Sequence, residues 1–208
     1  MRIVRWAVVA WILAAAALAA PPRPLIVAFG DSLTAGHGAP AGESYPDDLR
    51  RMMARSGYHY AVVNAGVSGD TSTDGLARLP PVLQRHPRWV ILEFGGNDGL
   101  RGLPVATTRA NLQTMIVRLR AAHISVLLVG MSLPPNYGAD YIASFQRLYR
   151  QLARQDHVPL LPFLYQDLVP RLRQQPGLLQ PDGIHATAAG NRLVAATVWR
   201  YLRPLLHH

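Results

Sequence analysis

Ser32 follows Gly30-Asp31 at the end of a short apolar run, and Gly36 closes the turn behind it. A serine held in such a turn presents its hydroxyl beside its own backbone N–H, two things a nucleophile needs. The competing reading is an ordinary helix N-cap, a position both Ser and Asp favour. Far downstream, Asp182-Gly183-Ile184-His185 puts a carboxylate three residues before an imidazole. That spacing sets both side chains on one side of a turn, close enough to bond through Nδ1. His185 can then take the Ser32 proton while Asp182 fixes the tautomer. Two further stretches hold donors: Gly69 has no side chain to block its N–H, and Asn97, after Gly95-Gly96, carries a side-chain amide. With the Ser32 N–H they can surround a developing oxyanion. Asn97 has a plainer alternative, capping the turn that follows it. An Asp/His pair can also bind a metal, but no second His or acid stands at ligand spacing, so no metal and no cofactor are expected.

These residues lie far apart in the chain, and a shared scaffold must bring them together. Apolar runs at 25–30, 60–64, 89–94, 124–130 and 158–163 read as strands. Helical periodicity covers 45–56, 105–123, 141–155 and about 186–202. Residues 71–86 are helix-like too, but Pro80-Pro81 should break or kink them. Continuously apolar strands alternating with helices imply a parallel sheet covered on both faces, a three-layer α/β/α sandwich. In such a sheet all strand ends share one edge, where ligands bind. Strands one, two and three lead into Asp31-Ser32, the 64–71 loop and Gly95-Gly96-Asn97-Asp98, so these groups converge. Leu100 and Leu103, at the tip of the glycine-rich 95–104 loop, are read as a cover over an acyl chain. Residues 133–138, with Leu133 and Pro134, form the opposite wall, and Asp31 is read as touching substrate.

Composition bounds the rest. The chain has 208 residues, half of them hydrophobic, and suits one globular domain. It has no cysteine, which excludes thiol catalysis, disulfides and cysteine metal sites. The net charge is +9 and every basic side chain is arginine, scattered at helical spacings as on solvated helix faces. No nucleic-acid partner is expected. His37, His59, His86, His123 and His157 fall in loops or at helix ends and read as solvated. Arg2 and Arg5 precede an apolar run that ends in Ala17-Leu18-Ala19 and Pro21-Pro22. A basic start, short apolar core and small-x-small exit describe a secretory signal peptide over 1–20, cleaved after Ala19, with 21–208 as the mature domain. The alternative is an uncleaved anchor. The expected location is periplasmic or secreted.

Gly30-Asp31-Ser32-Leu33, Gly69, Gly95-Gly96-Asn97-Asp98 and Asp182-Gly183-Ile184-His185 resemble the four blocks of the SGNH, or GDSL, hydrolase family, in the family's order. Ser68-Gly69-Asp70-Thr71-Ser72, Asn97-Asp98-Gly99-Leu100-Arg101-Gly102 and Leu133-Pro134-Pro135-Asn136-Tyr137-Gly138 are similar to its bacterial periplasmic thioesterase, lysophospholipase and arylesterase group. The resemblance implies a flavodoxin-like five-stranded parallel sheet and hydrolysis of small-molecule acyl esters and thioesters. It implies Ser32 as nucleophile, Asp182 and His185 as its partners, and Ser32, Gly69 and Asn97 as the oxyanion hole. Residues 36–44 and 174–180 depart from the family pattern. A monomer with transient contact to membrane lipids is the expected working form. A catalytically idle module that holds an acylated ligand in the same cleft is the competing class, and the complete Ser, Asp, His, Gly and Asn set argues against it.

Overall fold

The computed structural model describes residues 23–206; the expected signal peptide and its cleavage point lie outside the described residues. Five parallel strands form the sheet: β1 (Leu25–Gly30), β2 (Ala61–Asn64), β3 (Trp89–Glu93), β4 (Ser125–Val129) and β5 (Leu160–Leu161), in spatial order β2-β1-β3-β4-β5. The helices are α1 (Ser32–Ala35), α2 (Tyr45–Arg55), α3 (Ser72–Ala77), α4 (Leu79–Leu83), α5 (Gly96–Leu100), α6 (Val105–Ala121), α7 (Ala139–Gln155) and α8 (Ala188–Leu202). α2 packs on α8 at one face of the sheet, while α3, α6 and α7 pack together at the other. This is the expected α/β/α sandwich. The central strands β1 and β3 are buried nearly end to end, as both faces are covered.

Local chemistry sets the boundaries. A Thr71–Asp74 capping box starts α3, and the Thr187 side chain accepts from Gly190 N–H to start α8. The expected helix over 71–86 divides into α3 and α4, and the break falls at Arg78, ahead of the two prolines. Prolines fit the first turn of a helix, whose N–H groups need no partner, so Pro80-Pro81 begin α4 rather than kink a longer one. The expected fifth strand over 158–163 shrinks to Leu160–Leu161. It is an edge strand with one neighbour, and it turns away at Pro162, which cannot donate to a ladder. His86, His123 and His157 each adopt a positive φ just beyond a helix, closing its C-terminal end in the left-handed region.

The sheet delivers its loops to one edge. β1 ends at Gly30 beside Glu93 of β3, and β2 ends at Asn64 beside Ala28. Phe94, one residue past β3, is fully buried, and its carbonyl accepts the Tyr149 hydroxyl of α7 at 2.8 Å. Gly95 follows at φ 118°, where a side chain is disfavoured and a Cβ would meet the Tyr149 hydroxyl. This tight turn launches α5 toward the end of β1.

Candidate active site

Ser32 is the first residue of α1, immediately beyond the C-terminal end of β1. The helix cap considered from sequence does form, but Asp31 supplies it: its Oδ1 accepts the Leu33 N–H at 3.0 Å. Because Asp31 caps, the Ser32 hydroxyl is left for other partners. Glu93, at the end of β3, holds the turn from below. Its Oε2 accepts the Asp31 N–H at 3.2 Å and the Thr34 hydroxyl at 2.7 Å. Asp31 is 1% exposed and Glu93 not at all. Burial pushes the Asp31 carboxyl up to about 6. Burial also raises Glu93 well above the usual carboxylate range, and the neighbouring Asp31 charge adds to the effect.

His185 reaches Ser32 from the loop ahead of α8. Its Nε2 lies 2.9 Å from Ser32 Oγ, and its Nδ1 lies 2.7 Å from Asp182 Oδ2. The other Asp182 oxygen accepts the Ile184 and His185 N–H groups at 2.9 and 3.0 Å, which closes the Asp-Gly-Ile-His turn. Partial burial works to raise the Asp182 carboxyl, but hydrogen bonds from the His185 ring and from both N–H groups outweigh it, to about 2. An ionised Asp182 requires the proton on Nδ1, so Nε2 turns its lone pair to the Ser32 hydroxyl. The three side chains thus line up with the imidazole between the hydroxyl and the carboxylate.

Gly69 lies in the loop after β2 at φ 89°, and its carbonyl accepts Arg101 Nη2 at 2.8 Å. Asn97 does not cap the turn: Gly95 is the N-cap of α5, with no side-chain bond to the helix. Its Nδ2 instead donates to the Asp70 carbonyl at 2.9 Å and stands 3.4 Å from Asp31 Oδ2. An amide nitrogen has two hydrogens, so one is held by the Asp70 carbonyl and the other by a long, weaker bond to Asp31 Oδ2, beside Ser32. Ser32, Gly69, Asn97 and His185 line a single cavity of ≈ 570 Å³. Its other walls are apolar and include Leu100, Met131, Leu133, Pro134, Phe163 and Leu172. Such a space suits an acyl chain beside a polar reaction centre. Among the residues expected to touch substrate, Asp31, Leu100, Leu133 and Pro134 line the cavity and Leu103 does not. The Leu103 carbonyl accepts the Tyr141 hydroxyl, and the Leu100 carbonyl that of Tyr137, which ties the 95–104 loop to the chain around α7.

Three contributors escaped the sequence reading. Arg78 bonds Asp70 through Nε at 2.6 Å and the carbonyls of Ala65 and Gly30 at 3.3 Å, knitting the first two strand-end loops. It sits in the break between α3 and α4, two residues ahead of the prolines that mark that break in the sequence. Glu93 was hidden as the sole acid in an apolar strand, an anomaly that does mark a buried polar function. His37, read as solvated, is exposed on one side, but its ring lies against His185 with centroids 4.6 Å apart. Among the described residues no group of three His, Cys, Asp or Glu is placed to hold a metal ion.

The arrangement has relatives. Residues 28–193 match the GDSL-like Lipase/Acylhydrolase family. Esterase TesA of Pseudomonas aeruginosa is 42% identical over 87% of this chain and 89% of its own. Thioesterase 1/protease 1/lysophospholipase L1 of Escherichia coli is 39% identical over 88% of this chain and 85% of its own. The crystal structure of TesA superposes with a TM-score of 0.81 and covers 88% of this chain and all (100%) of that one. Esterase EstA from Pseudoalteromonas, solved inhibited by monoethylphosphonate, gives 0.81 at 28% identity over 88% and 99% of the two chains. The chain belongs to the GDSL-like lipase/acylhydrolase family and is a hydrolase of the SGNH type.

Proposed function

We propose that the protein cleaves its substrates through an acyl-enzyme on Ser32. Ser32 Oγ attacks the carbonyl carbon as His185 Nε2 takes the hydroxyl proton, and Asp182 stabilises the imidazolium so formed. The carbonyl oxygen gains a negative charge and is met by the Ser32 and Gly69 N–H groups and by the Asn97 Nδ2 hydrogen that leaves its long bond to Asp31 Oδ2. Collapse of the tetrahedral adduct breaks the bond to the alcohol or thiol, which leaves with the proton from Nε2. Water then repeats the sequence on the acyl-Ser32 ester, giving its proton to Nε2 and releasing the carboxylic acid and free Ser32. The observation that carries this reading is the continuous line Asp182–His185–Ser32, with contacts of 2.7 and 2.9 Å. A module that merely holds an acylated ligand has no use for a base aimed at a hydroxyl.

The substrate's acyl chain is assigned to the apolar walls and its leaving group to the open side near His37. Purified protein assayed on nitrophenyl esters and acyl-CoAs of graded chain length tests this. Turnover that Ser32→Ala abolishes is expected, and turnover that survives the substitution rules the scheme out. We further infer export, on the basic start and short apolar core of 1–20. The amino-terminal sequence of protein recovered from the periplasm should begin at Ala20. A monomer that meets lipid surfaces transiently fits the cavity mouth, where Val169 is 45% exposed beside exposed Arg171 and Arg173. Co-sedimentation with anionic vesicles at low but not high salt is the expected behaviour.

A further inference from the structure

The segments 36–44 and 174–180 meet in the fold. Gln180 Nε2 donates to the His37 carbonyl at 2.6 Å and to the Ala186 carbonyl at 3.0 Å. The Gln180 backbone N–H donates to the His185 carbonyl at 2.8 Å, and the Gln180 carbonyl accepts the Gly183 N–H at 2.9 Å. One residue therefore grips the loop of Asp182 and His185 from inside and the Ser32 turn from outside. The Ser32 side of the grip is equally fixed. The His37 N–H donates to the Ser32 carbonyl at 3.0 Å, its Nδ1 lies 3.3 Å from Ser68 Oγ, and its ring covers the His185 ring at a 50° tilt. Gly38, at φ 71°, has the Gln180 amide where a Cβ would project, so the two segments interlock closely.

The Asp182–His185 loop needs such a restraint. The Asp182 side chain is 42% exposed, so the ion pair with His185 is open to water and worth little as a clamp. The antiparallel bridge of Leu179 with Ala186 and the Thr187 bonds to Gly177 and Leu178 hold this loop only to itself. We propose that His37 and Gln180 act together as positioning residues: they fix the catalytic imidazole against Ser32 by locking its loop to the nucleophile turn and covering its outer face. Neither touches the reacting atoms. Their effect falls on the alignment of Nε2 with Oγ, and a misplacement of about 1 Å in such an alignment lowers rates by up to ~10²-fold.

The inference rests on the Ser32 reading above, and the test separates the two. Gln180→Met keeps the size of the side chain and removes both donors, while His37→Ala removes the ring and His37→Phe restores a flat cover. The measurements are kcat and KM on a nitrophenyl ester, the rate of phosphonate labelling at Ser32, and melting temperature. Gln180→Met and His37→Ala should each lower kcat by ~10-fold or more with KM within about twofold. Phosphonate labelling should slow by the same factor, and melting temperature should stay close to that of the wild type. The double variant should be no slower than the worse single one, and His37→Phe should regain most of the His37→Ala loss. Normal kcat in either single variant, additive losses, or a change in KM in place of kcat would overturn the bracket. A wild-type protein that the phosphonate does not label at Ser32 would overturn the nucleophile assignment instead.

Discussion

Asp31→Asn should make the protein more stable near neutral pH and leave it little changed in acid. Asp31 is almost wholly buried, and its carboxyl is raised from 3.8 to about 6. A raised acid holds its proton in the fold after the unfolded chain has released it. Its contribution to stability is therefore fully present below pH 3.8 and is lost as pH rises to about 6, staying lost above. Each unit is worth about 1.4 kcal/mol, so the swing of roughly two units amounts to about 3 kcal/mol. Asparagine does not titrate, and its Oδ1 can still accept the Leu33 N–H that caps α1. Removing the Asp31 charge also relieves Glu93, which adds to the swing rather than offsetting it. The gap in stability between Asp31→Asn and wild type should then widen by about 3 kcal/mol between pH 3.5 and 7. For a chain of this size that is about 6–12 °C in melting temperature. Thermal melts of both proteins across this range measure it. A constant gap at every pH would show that Asp31 ionises in the fold as it does in water, and the buried-pair argument would fail. The site thus holds its nucleophile turn at the expense of stability at working pH.

Other outcomes follow from the same geometry. Asn97→Ala should fold normally and lose ~10²–10³-fold in kcat with little change in KM, since its weakly held second N–H meets charge that develops only in the transition state; a normal kcat would remove Asn97 from the oxyanion hole. Leu133→Asp should penalise long acyl esters more than acetyl esters, because Leu133 lines the apolar part of the cavity; an equal penalty across a chain-length series would move the acyl chain elsewhere. His123→Gly should raise stability by up to ~1 kcal/mol, since His123 occupies the left-handed region at φ 58°; urea unfolding reads the change, and a loss would mean the imidazole makes a compensating contact.

Much of this was legible in the chain because the governing interactions are local. Apolar strands, helical periodicity, three polar blocks at strand ends and one ahead of the last helix placed Ser32, Asp182 and His185 together without any knowledge of contacts. What stayed hidden depends on partners distant in sequence. Glu93 supports Asp31 from 62 residues away, and Gln180 reaches His37 across 143. Neither pairing leaves a periodic trace. His37 read as a solvated loop histidine because nothing beside it is apolar, whereas its neighbour in space is another imidazole. Leu103 read as cavity lining because an apolar residue in a glycine-rich loop suits a cover, but Tyr141 holds that stretch of backbone away from the cavity. β5 is shorter than expected, and the expected break in 71–86 falls at Arg78 ahead of the prolines, for a shared reason: proline acts differently at the start of a helix, at an edge strand and in a helix interior.

The central claim is that Ser32 carries the acyl group, and the acyl-enzyme can be caught directly. Protein mixed with a nitrophenyl ester in a stopped-flow instrument should release a rapid burst of nitrophenol, up to one equivalent per active site, before the steady rate. Acid quenching during the burst, followed by peptide mass spectrometry, should find the acyl mass on Ser32, with neither burst nor adduct in Ser32→Ala. A burst whose adduct lies on another residue, or steady turnover that persists in Ser32→Ala, would contradict the account.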